Sequence, residues 1–332
     1  MPLRLLSRKS KQPAALADAV ITKPITPAIP TYEPADIIAL ESDELRRFVQ
    51  LGRFGIVAGH PDRWRGHAEI RAALQAANEA IDTDYALVPD GSAAIPLTID
   101  DAPGMPERDM VTQPFLLAKC CVTHGEYQNF VDSGAYGDLD LWPEDIWPHL
   151  IDFRDLTDQP GPRFWKNGRH NKRLADHPVV GICFYEAQAY AQWAGFRLPT
   201  EEEWQVAASW RIQSSAYILR RYPWGDALDT GRCNIWGSGI GNTEPVDAYE
   251  NGAAPNGVRQ LVGNVWEWTE SDFDVTDTDG RPVVGDMIMK SIRGGAFDTY
   301  FPSQATSCFR TGLASLIRAH NVGFRCALDI KE

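Results

Sequence analysis

Two stretches near the start of the chain carry apolar residues at helical spacing. A repeat of three to four residues places such side chains on one face of an α-helix. The first stretch carries Leu45, Phe48 and Leu51, and the second carries Ile70, Leu74, Ala77 and Ile81. The sequence "HPDRW" breaks the pattern between them. We therefore predict a helical pair over about residues 42–82 that packs on something larger.

Two further helices are marked by the sequence of their first turns. In "VTHGEYQNFVDSG" and "RLPTEEEWQVAAS", Thr123 precedes Glu126 and Thr200 precedes Glu203 by three residues. This is the spacing of a capping box, in which the two residues satisfy each other's backbone amides. The sequence predicts helix starts at both places. It also predicts a short helix over about 184–194, in "FYEAQAYAQWAG".

The remaining pattern divides the chain into three parts. Residues 1–40 are rich in proline and show no sustained periodicity, which is typical of an extended arm or linker. Beyond about residue 84, short apolar runs alternate with turn signals, as in a loop-rich mixed fold. We predict an arm over residues 1–40, a helical segment over 41–83 and one larger domain over 84–332.

The net charge of the chain limits the kinds of partner that it can bind. The 332 residues carry a net charge of −13, and such a field repels nucleic acid and anionic membranes. No apolar run approaches the roughly 18 residues that a membrane span requires. The sequence predicts no nucleic-acid partner and no membrane span. The one clustered basic stretch lies at the extreme N-terminus, at Arg4, Arg8, Lys9 and Lys11.

The cysteine content points to a reducing compartment. Cysteines are too sparse in so long a chain to form a disulfide scaffold. They stand at Cys120, Cys121, Cys183, Cys233, Cys308 and Cys326. We predict reduced, mostly buried thiols in a cytoplasmic protein.

An ordered series of motifs over residues 85–330 resembles the formylglycine-generating enzyme family, also called sulfatase-modifying factor. The resemblance implies an α+β fold with a C-type-lectin-like core. It also extends to the corresponding domain of ergothioneine-type sulfoxide synthases. Their three-histidine iron site is not predicted here, because the N-terminal part offers only His60 and His67. The motifs are "FLLAKCCVTHGEYQNFVDSGAY", "HPVVGICFYEAQAYAQWAGFRLPTEEEWQVAAS", "YPWGD", "CNIW", "PVDAYENGAAPNG", "LVGNVWEWTES", "SIRGGAF" and "NVGFRCA".

The resemblance implies structural calcium, for which oxygen ligands on irregular loops are suited. Carried over to this chain, one site uses the Glu267 side chain with the carbonyls of Gly263 and Val265. An upstream ligand of the family has no clear equivalent. A second site uses Asn234 and the carbonyl of Ile235, but no acidic partner for it stands in "GSGIGN".

Catalytic members of the family bind copper through two cysteines that follow the "GG-small-aromatic" turn, and paired thiolates suit Cu(I). This chain has only Cys308 in "RGGAFDTYFPSQATSCFRTG", so the copper pair is missing. Binding of copper or iron is left open. If the chain is catalytic, the expected residues are Cys308, Arg310 and His320. The expected substrate-binding residues are Trp266, Arg293 and Asp298.

Several of these candidate site residues also have a purely structural interpretation. A lone cysteine such as Cys308 is more often a small buried hydrophobe than a reactive group. In the structural interpretation, Arg293 is an ion-pair anchor. In the functional interpretation, Arg310, Arg318 and His320 line a pocket for an anion. Of Trp266 and Trp268, one is expected in the core and the other on a cleft wall.

Two functions from different classes follow. The first is a divergent, metal-dependent and oxygen-using oxidoreductase that acts on a thiol-bearing or amino-acid-derived substrate. The alternative is a non-catalytic recognition or assembly module that binds a protein or small ligand. In a third possibility the proline-rich arm lies on a neighbouring chain. The acidic run "ESDFDVTDTDGRPVVGD", with Asp277 and Asp279, is interpreted as a solvated loop.

Overall fold

The computed structural model describes residues 43–64, 66–96, 107–212, 220–274, 281 and 288–330. The predicted arm and the part of the acidic run that holds Asp277 and Asp279 lie outside the described residues. Among those described, no helix is long and apolar enough to cross a membrane.

The helical segment contains three α-helices and a turn of 3-10 helix. Helix α1 covers 43–50, α2 covers Phe54–Gly59, and α3 covers Ile70–Asp84. The 3-10 turn Pro61–Trp64 occupies the predicted "HPDRW" break. Leu45, Phe48 and Ala77 are buried together around Trp64, so the apolar stripes face one another. The predicted helical pair is confirmed, and α2 is an additional short helix that the stripes did not reveal.

The described part of the main domain contains three α-helices, and all three match their predicted positions. Helix α4 covers His124–Asp132, α5 covers Phe184–Ala194, and α6 covers Glu201–Ser209. Both threonine capping boxes form: the Glu126 amide donates to Thr123 Oγ1 at 3.1 Å, and the Glu203 amide donates to Thr200 Oγ1 at 3.2 Å. Segments of 3-10 helix lie at Ala135–Gly137, Leu139–Leu141, Glu144–Asp152, Lys172–Leu174, Trp236–Ser238, Glu250–Gly252 and Pro302–Gln304.

Among the described residues, nine strands form three small sheets. They are β1 (Tyr85–Val88), β2 (Gly91–Pro96), β3 (Glu107–Thr112), β4 (Phe115–Ala118), β5 (Trp266–Asp272), β6 (Met289–Arg293), β7 (Arg310–Ala314), β8 (Val322–Gly323) and β9 (Ala327–Asp329). One sheet has the order β1-β4-β9, a hairpin joins β2 to β3, and the third sheet has the order β7-β6-β5-β8. Strands β5 and β8 are parallel, and the other pairs are antiparallel.

The largest core cluster lies between α4, α5 and the four-stranded sheet. Tyr127, Phe130 and Phe324 are fully buried there, and the Tyr127 ring stacks on Tyr190 at 5.3 Å. Trp268 is fully buried, and Trp266 is 9% exposed at the edge of the same cluster. Large apolar and aromatic side chains therefore hold helices and sheet together, and loop residues such as Trp165 and Val179 are buried in the same cluster.

The helical segment packs on the end of α5. Gly55 in α2 and Gly195 after α5 approach so closely that a Cβ on Gly195 would lie 2.2 Å from the Ile56 nitrogen. Arg53 reinforces the contact by donating to the Trp193 carbonyl, and burial lowers its pKa to about 10. The segment thus contacts the main domain of its own chain.

Candidate functional site

The stretch "GNVWEW" begins β5 and places Trp266 at the edge of the core. Its backbone amide donates to the Asn321 carbonyl at 2.9 Å. Its ring lies 6.1 Å from the ring of half-buried Phe309, measured between centroids. The two side chains form an aromatic wall next to the loop that carries Asn321. An apolar group of a ligand can pack on such a wall.

An exposed histidine precedes Asn321 in the same loop. His320 Nε2 lies 3.2 Å from Asp298 Oδ2, and its side chain is 62% exposed. Asn321 Nδ2 donates to both oxygens of Asp298, at 3.0 and 3.1 Å, and Phe297 packs edge-on against the imidazole at 5.9 Å. Asp298 therefore orients a histidine that can donate, accept or carry charge. We call Trp266, Phe309, Asp298, His320 and Asn321 the Trp266 surface.

The structure does not bring the two predicted arginines to this exposed position. Arg293 is fully buried, where it donates to Gln205 Oε1 at 2.7 Å, and burial lowers its pKa to about 10. Arg310 Nε lies 2.9 Å from Glu201 Oε2, and Arg293 Nη1 lies 3.9 Å from the same oxygen. The ion-pair interpretation of Arg293 therefore fits the geometry. Both arginines tie the sheet to the first turn of α6.

Cys308 is partly exposed and precedes Phe309 of the aromatic wall. Burial raises the pKa of its thiol above the usual range, although the nearby Arg293 cation opposes that change. At neutral pH the side chain is therefore a thiol rather than a thiolate. An unactivated thiol is a weak nucleophile and a weak metal ligand.

The residues expected at the first calcium site do not fit a calcium ion in this arrangement. Glu267 is fully buried, and Arg325 donates to both of its oxygens at 2.7 Å. Trp204 Nε1 donates to Oε2 as well, at 2.9 Å. The carbonyl of Gly263 accepts the Val265 amide at 3.0 Å. The carboxylate is thus neutralised by a cation, which competes with a metal ion for the same oxygens.

At the second expected calcium site, the expected ligand atoms also accept hydrogen bonds from the protein. Asn234 is buried and accepts a hydrogen bond from Ser238 Oγ at 3.1 Å. The Ile235 carbonyl accepts from the same hydroxyl at 2.6 Å. Within the described ranges, no three histidine, cysteine or acidic side chains stand close enough together to hold a metal ion. Calcium, copper and iron therefore stay predictions from the family resemblance.

Arg318 lies in the core rather than on an anion pocket. Its Nε donates to Glu186 Oε2 at 2.8 Å, and Tyr136 donates to the other oxygen at 2.7 Å. Burial raises the pKa of Glu186, and the Arg318 cation opposes that change. The two partners are 132 positions apart in sequence. No local signal identified this ion pair, the pairing of Glu201 with Arg310 or that of Glu267 with Arg325.

These elements define a loop-rich α+β protein built on short sheets. The chain belongs to the sulfatase-modifying factor enzyme 1-like family, whose sequence model matches residues 71–330. The predicted family and fold class are confirmed. Solved structures with the same fold include PvdO from Pseudomonas aeruginosa, with a TM-score of 0.50 at 21% identity over 74% of this chain and 94% of that one. CarF aligns with a TM-score of 0.52 at 19% identity, over 75% of this chain and 98% of that one.

Curated relatives carry names of different activities. The hercynine oxygenase of Mycobacterium tuberculosis H37Rv is 38% identical over 47% of this chain, and the match spans only 37% of that relative. The formylglycine-generating enzyme of Streptomyces coelicolor is 32% identical over 65% of this chain and 79% of that protein. The mouse inactive C-alpha-formylglycine-generating enzyme 2 is 28% identical over 67% of this chain and 77% of that protein. Named enzymes and a named inactive protein thus share the family.

Proposed function

We propose that the Trp266 surface is a recognition site for a small molecule or peptide. The observation that carries this proposal is the exposed His320, which is oriented by Asp298 and precedes Asn321, whose carbonyl accepts the Trp266 amide. The wall of Trp266 and Phe309 packs against an apolar group, and the imidazole pairs with a polar or anionic group of the same ligand. Amino-acid-derived ligands and peptides carry both kinds of group.

A second candidate function adds chemistry at the same surface. The likeness to the named oxygenase and formylglycine-generating enzyme supports an oxygen-using oxidoreductase. Its substrate would be thiol-bearing or amino-acid-derived, and Cys308 is the soft donor closest in sequence to the aromatic wall. The missing second cysteine and the protonated thiol favour recognition, and the inactive mouse relative provides a family precedent.

The first experiment identifies what the protein retains. Protein is incubated with a cell metabolite and peptide extract, washed, and analysed by native mass spectrometry as parent, His320→Ala and Trp266→Ala. We expect a retained ligand in the parent and a loss of at least about tenfold in both variants, because each removes one half of the surface. His60→Ala, an exposed histidine in the helical segment, is the matched control. Equal retention by all four proteins refutes recognition at this surface.

A second experiment distinguishes recognition from catalysis. Protein is purified without chelators, and its metal content is measured in the parent, Cys308→Ala and Glu267→Ala. Stoichiometric copper or iron that disappears with Cys308→Ala, together with oxygen added to the retained ligand, supports the oxidoreductase. Metal-poor protein with an unmodified ligand supports recognition. Calcium lost only in Glu267→Ala identifies a structural ion.

A further inference from the structure

A groove of about 680 Å³ lies where the helical segment meets the main domain. It shares no lining residue with the Trp266 surface, so it is a separate site. Its walls include Leu51 near α1, Tyr85 at the end of α3 and Glu126 in α4. The volume falls within the range of small-molecule sites, about 300 to 1,000 Å³. We call it the junction groove.

Aromatic rings line one side of the junction groove. Tyr85 and Phe196 lie 4.8 Å apart between ring centroids, and both are partly exposed. Tyr190 lines the same groove and is fixed by stacking on buried Tyr127. Phe54 contributes a further ring from α2. The faces of such rings carry partial negative charge and attract cations.

Two carboxylates face the same groove without forming an ion pair within the described residues. They are Glu126 and Asp84, both solvent-accessible groove-lining residues. Glu126 Oε2 accepts the Thr123 amide and hydroxyl, both at 2.7 Å. Desolvation by the groove walls raises the pKa of the Glu126 carboxylate, the hydrogen bonds from Thr123 oppose that change, and the charge of Asp84 adds to it. The groove therefore holds two carboxylates that form no ion pair with a described side chain.

Two cationic side chains that line the junction groove, Lys119 and Arg259, form hydrogen bonds with backbone carbonyls. Lys119 Nζ donates to the Thr83 carbonyl at 2.6 Å, at the C-terminal end of α3. Arg259 donates to the Asp247 carbonyl at 2.8 Å and lies 3.6 Å from Glu250. Lys119 offsets part of the charge on Asp84. Thiols line the floor, and burial raises the pKa of Cys120, Cys121 and Cys326, so they are neutral.

We propose that the junction groove binds an organic cation, namely a primary ammonium group on an apolar or aromatic body. The ammonium pairs with Glu126 and Asp84, while the body packs against Tyr85 and the neighbouring rings. An anionic ligand of the same size is repelled by the two carboxylates. A neutral ligand gains the apolar contacts alone.

Isothermal titration calorimetry on the full chain tests this proposal with benzylammonium as the probe. Benzyl alcohol and benzoate are the neutral and anionic comparators of similar size. We expect saturable binding of benzylammonium at millimolar concentrations, binding of benzyl alcohol at least about tenfold weaker, and none of benzoate. Saturable binding of benzyl alcohol with equal affinity, or no saturable binding of benzylammonium, overturns the proposal.

Variants assign the binding to the groove. Glu126→Gln introduces a glutamine whose side chain can still close the capping box, so α4 is preserved. We expect it to weaken benzylammonium binding about tenfold, and Tyr85→Leu to weaken it by a smaller factor. Glu144→Gln, a change at an exposed carboxylate outside the groove, is the control. Thermal melting verifies that each variant is folded, and unchanged affinity in folded Glu126→Gln contradicts the assignment.

Discussion

At the scale of single residues, burial separates the glutamates that stabilise the fold from the groups that a ligand can reach. Glu186, Glu201 and Glu267 are all fully buried, and each faces an arginine. A buried charge is tolerated when a partner and hydrogen bonds compensate for its desolvation. These glutamates therefore stabilise the fold. The groups that a ligand can reach are exposed ones, such as His320 and Glu126.

A buried histidine predicts how stability depends on pH. His124 Nδ1 accepts a hydrogen bond from Trp165 Nε1 at 2.9 Å. Burial lowers the pKa of His124 to about 3, and the neighbouring His170 and His177 contribute. The unfolded chain takes up a proton near pH 6.5 that the folded chain excludes. Stability is therefore fully present above that pH and is lost as the pH falls toward 3, by at most about 1.4 kcal/mol per pH unit.

His124→Asn tests this dependence, because the Asn oxygen can replace Nδ1 as acceptor and does not titrate. Urea unfolding between pH 4.5 and 7 is expected to show a slope smaller by about one proton than in the parent. His60→Asn, at an exposed site, serves as the control. An unchanged slope in His124→Asn shows that other groups cause the acid sensitivity.

At the scale of elements, sequence reasoning succeeded where a signal is local. The capping boxes at Thr123 and Thr200 need only residues three positions apart, and both helices begin where the pattern indicates. The docking of α2 on α5 was not predicted, because Gly55 and Gly195 are far apart in sequence and carry no side chain to indicate a contact. Glycine there permits two backbones to touch.

Gly195→Ala is expected to loosen the helical segment from the main domain. The added Cβ would meet the Ile56 nitrogen at 2.2 Å, and φ at Gly195 is +84°. We expect a loss of about 2 kcal/mol or more and faster amide exchange in residues 54–59. Gly239→Ala is the matched control, since its φ is +76° and nothing lies within 4 Å of the added Cβ. Equal amide exchange in the two variants contradicts a role for the close contact.

At the scale of the whole molecule, the fold joins distant parts of the chain. Strand β9 pairs with β4, and Arg325 donates to the Ala118 carbonyl across 207 positions. The family resemblance predicted the fold class, but neither spacing nor periodicity indicates such pairings. Only three of the six residues expected in the site, Trp266, Asp298 and His320, lie on the Trp266 surface. Arg293 and Arg310 instead form buried ion pairs whose partners are about ninety positions away or more.

Ala327→Pro tests the importance of the long-range backbone contact between β9 and Arg197. The buried Ala327 amide donates to the Arg197 carbonyl at 2.7 Å, and proline removes that donor. We expect a loss of about 3 kcal/mol or more in urea unfolding, with loss of protection at the Arg197 amide, which donates to the Ala327 carbonyl at 3.0 Å. Ile330→Pro, just beyond the pairing and 47% exposed, should change stability little. A comparable loss in both variants indicates a general effect of proline instead.

The pairing of β4 with β9 also bears on how the chain is made. A ribosome synthesises Phe115–Ala118 long before Ala327–Asp329, so β4 leaves the exit tunnel with one edge open. An open edge is a template for pairing with another nascent chain. Translation speed and chaperone supply should therefore influence the yield of this protein more strongly than they influence a fold in which neighbouring strands pair in order.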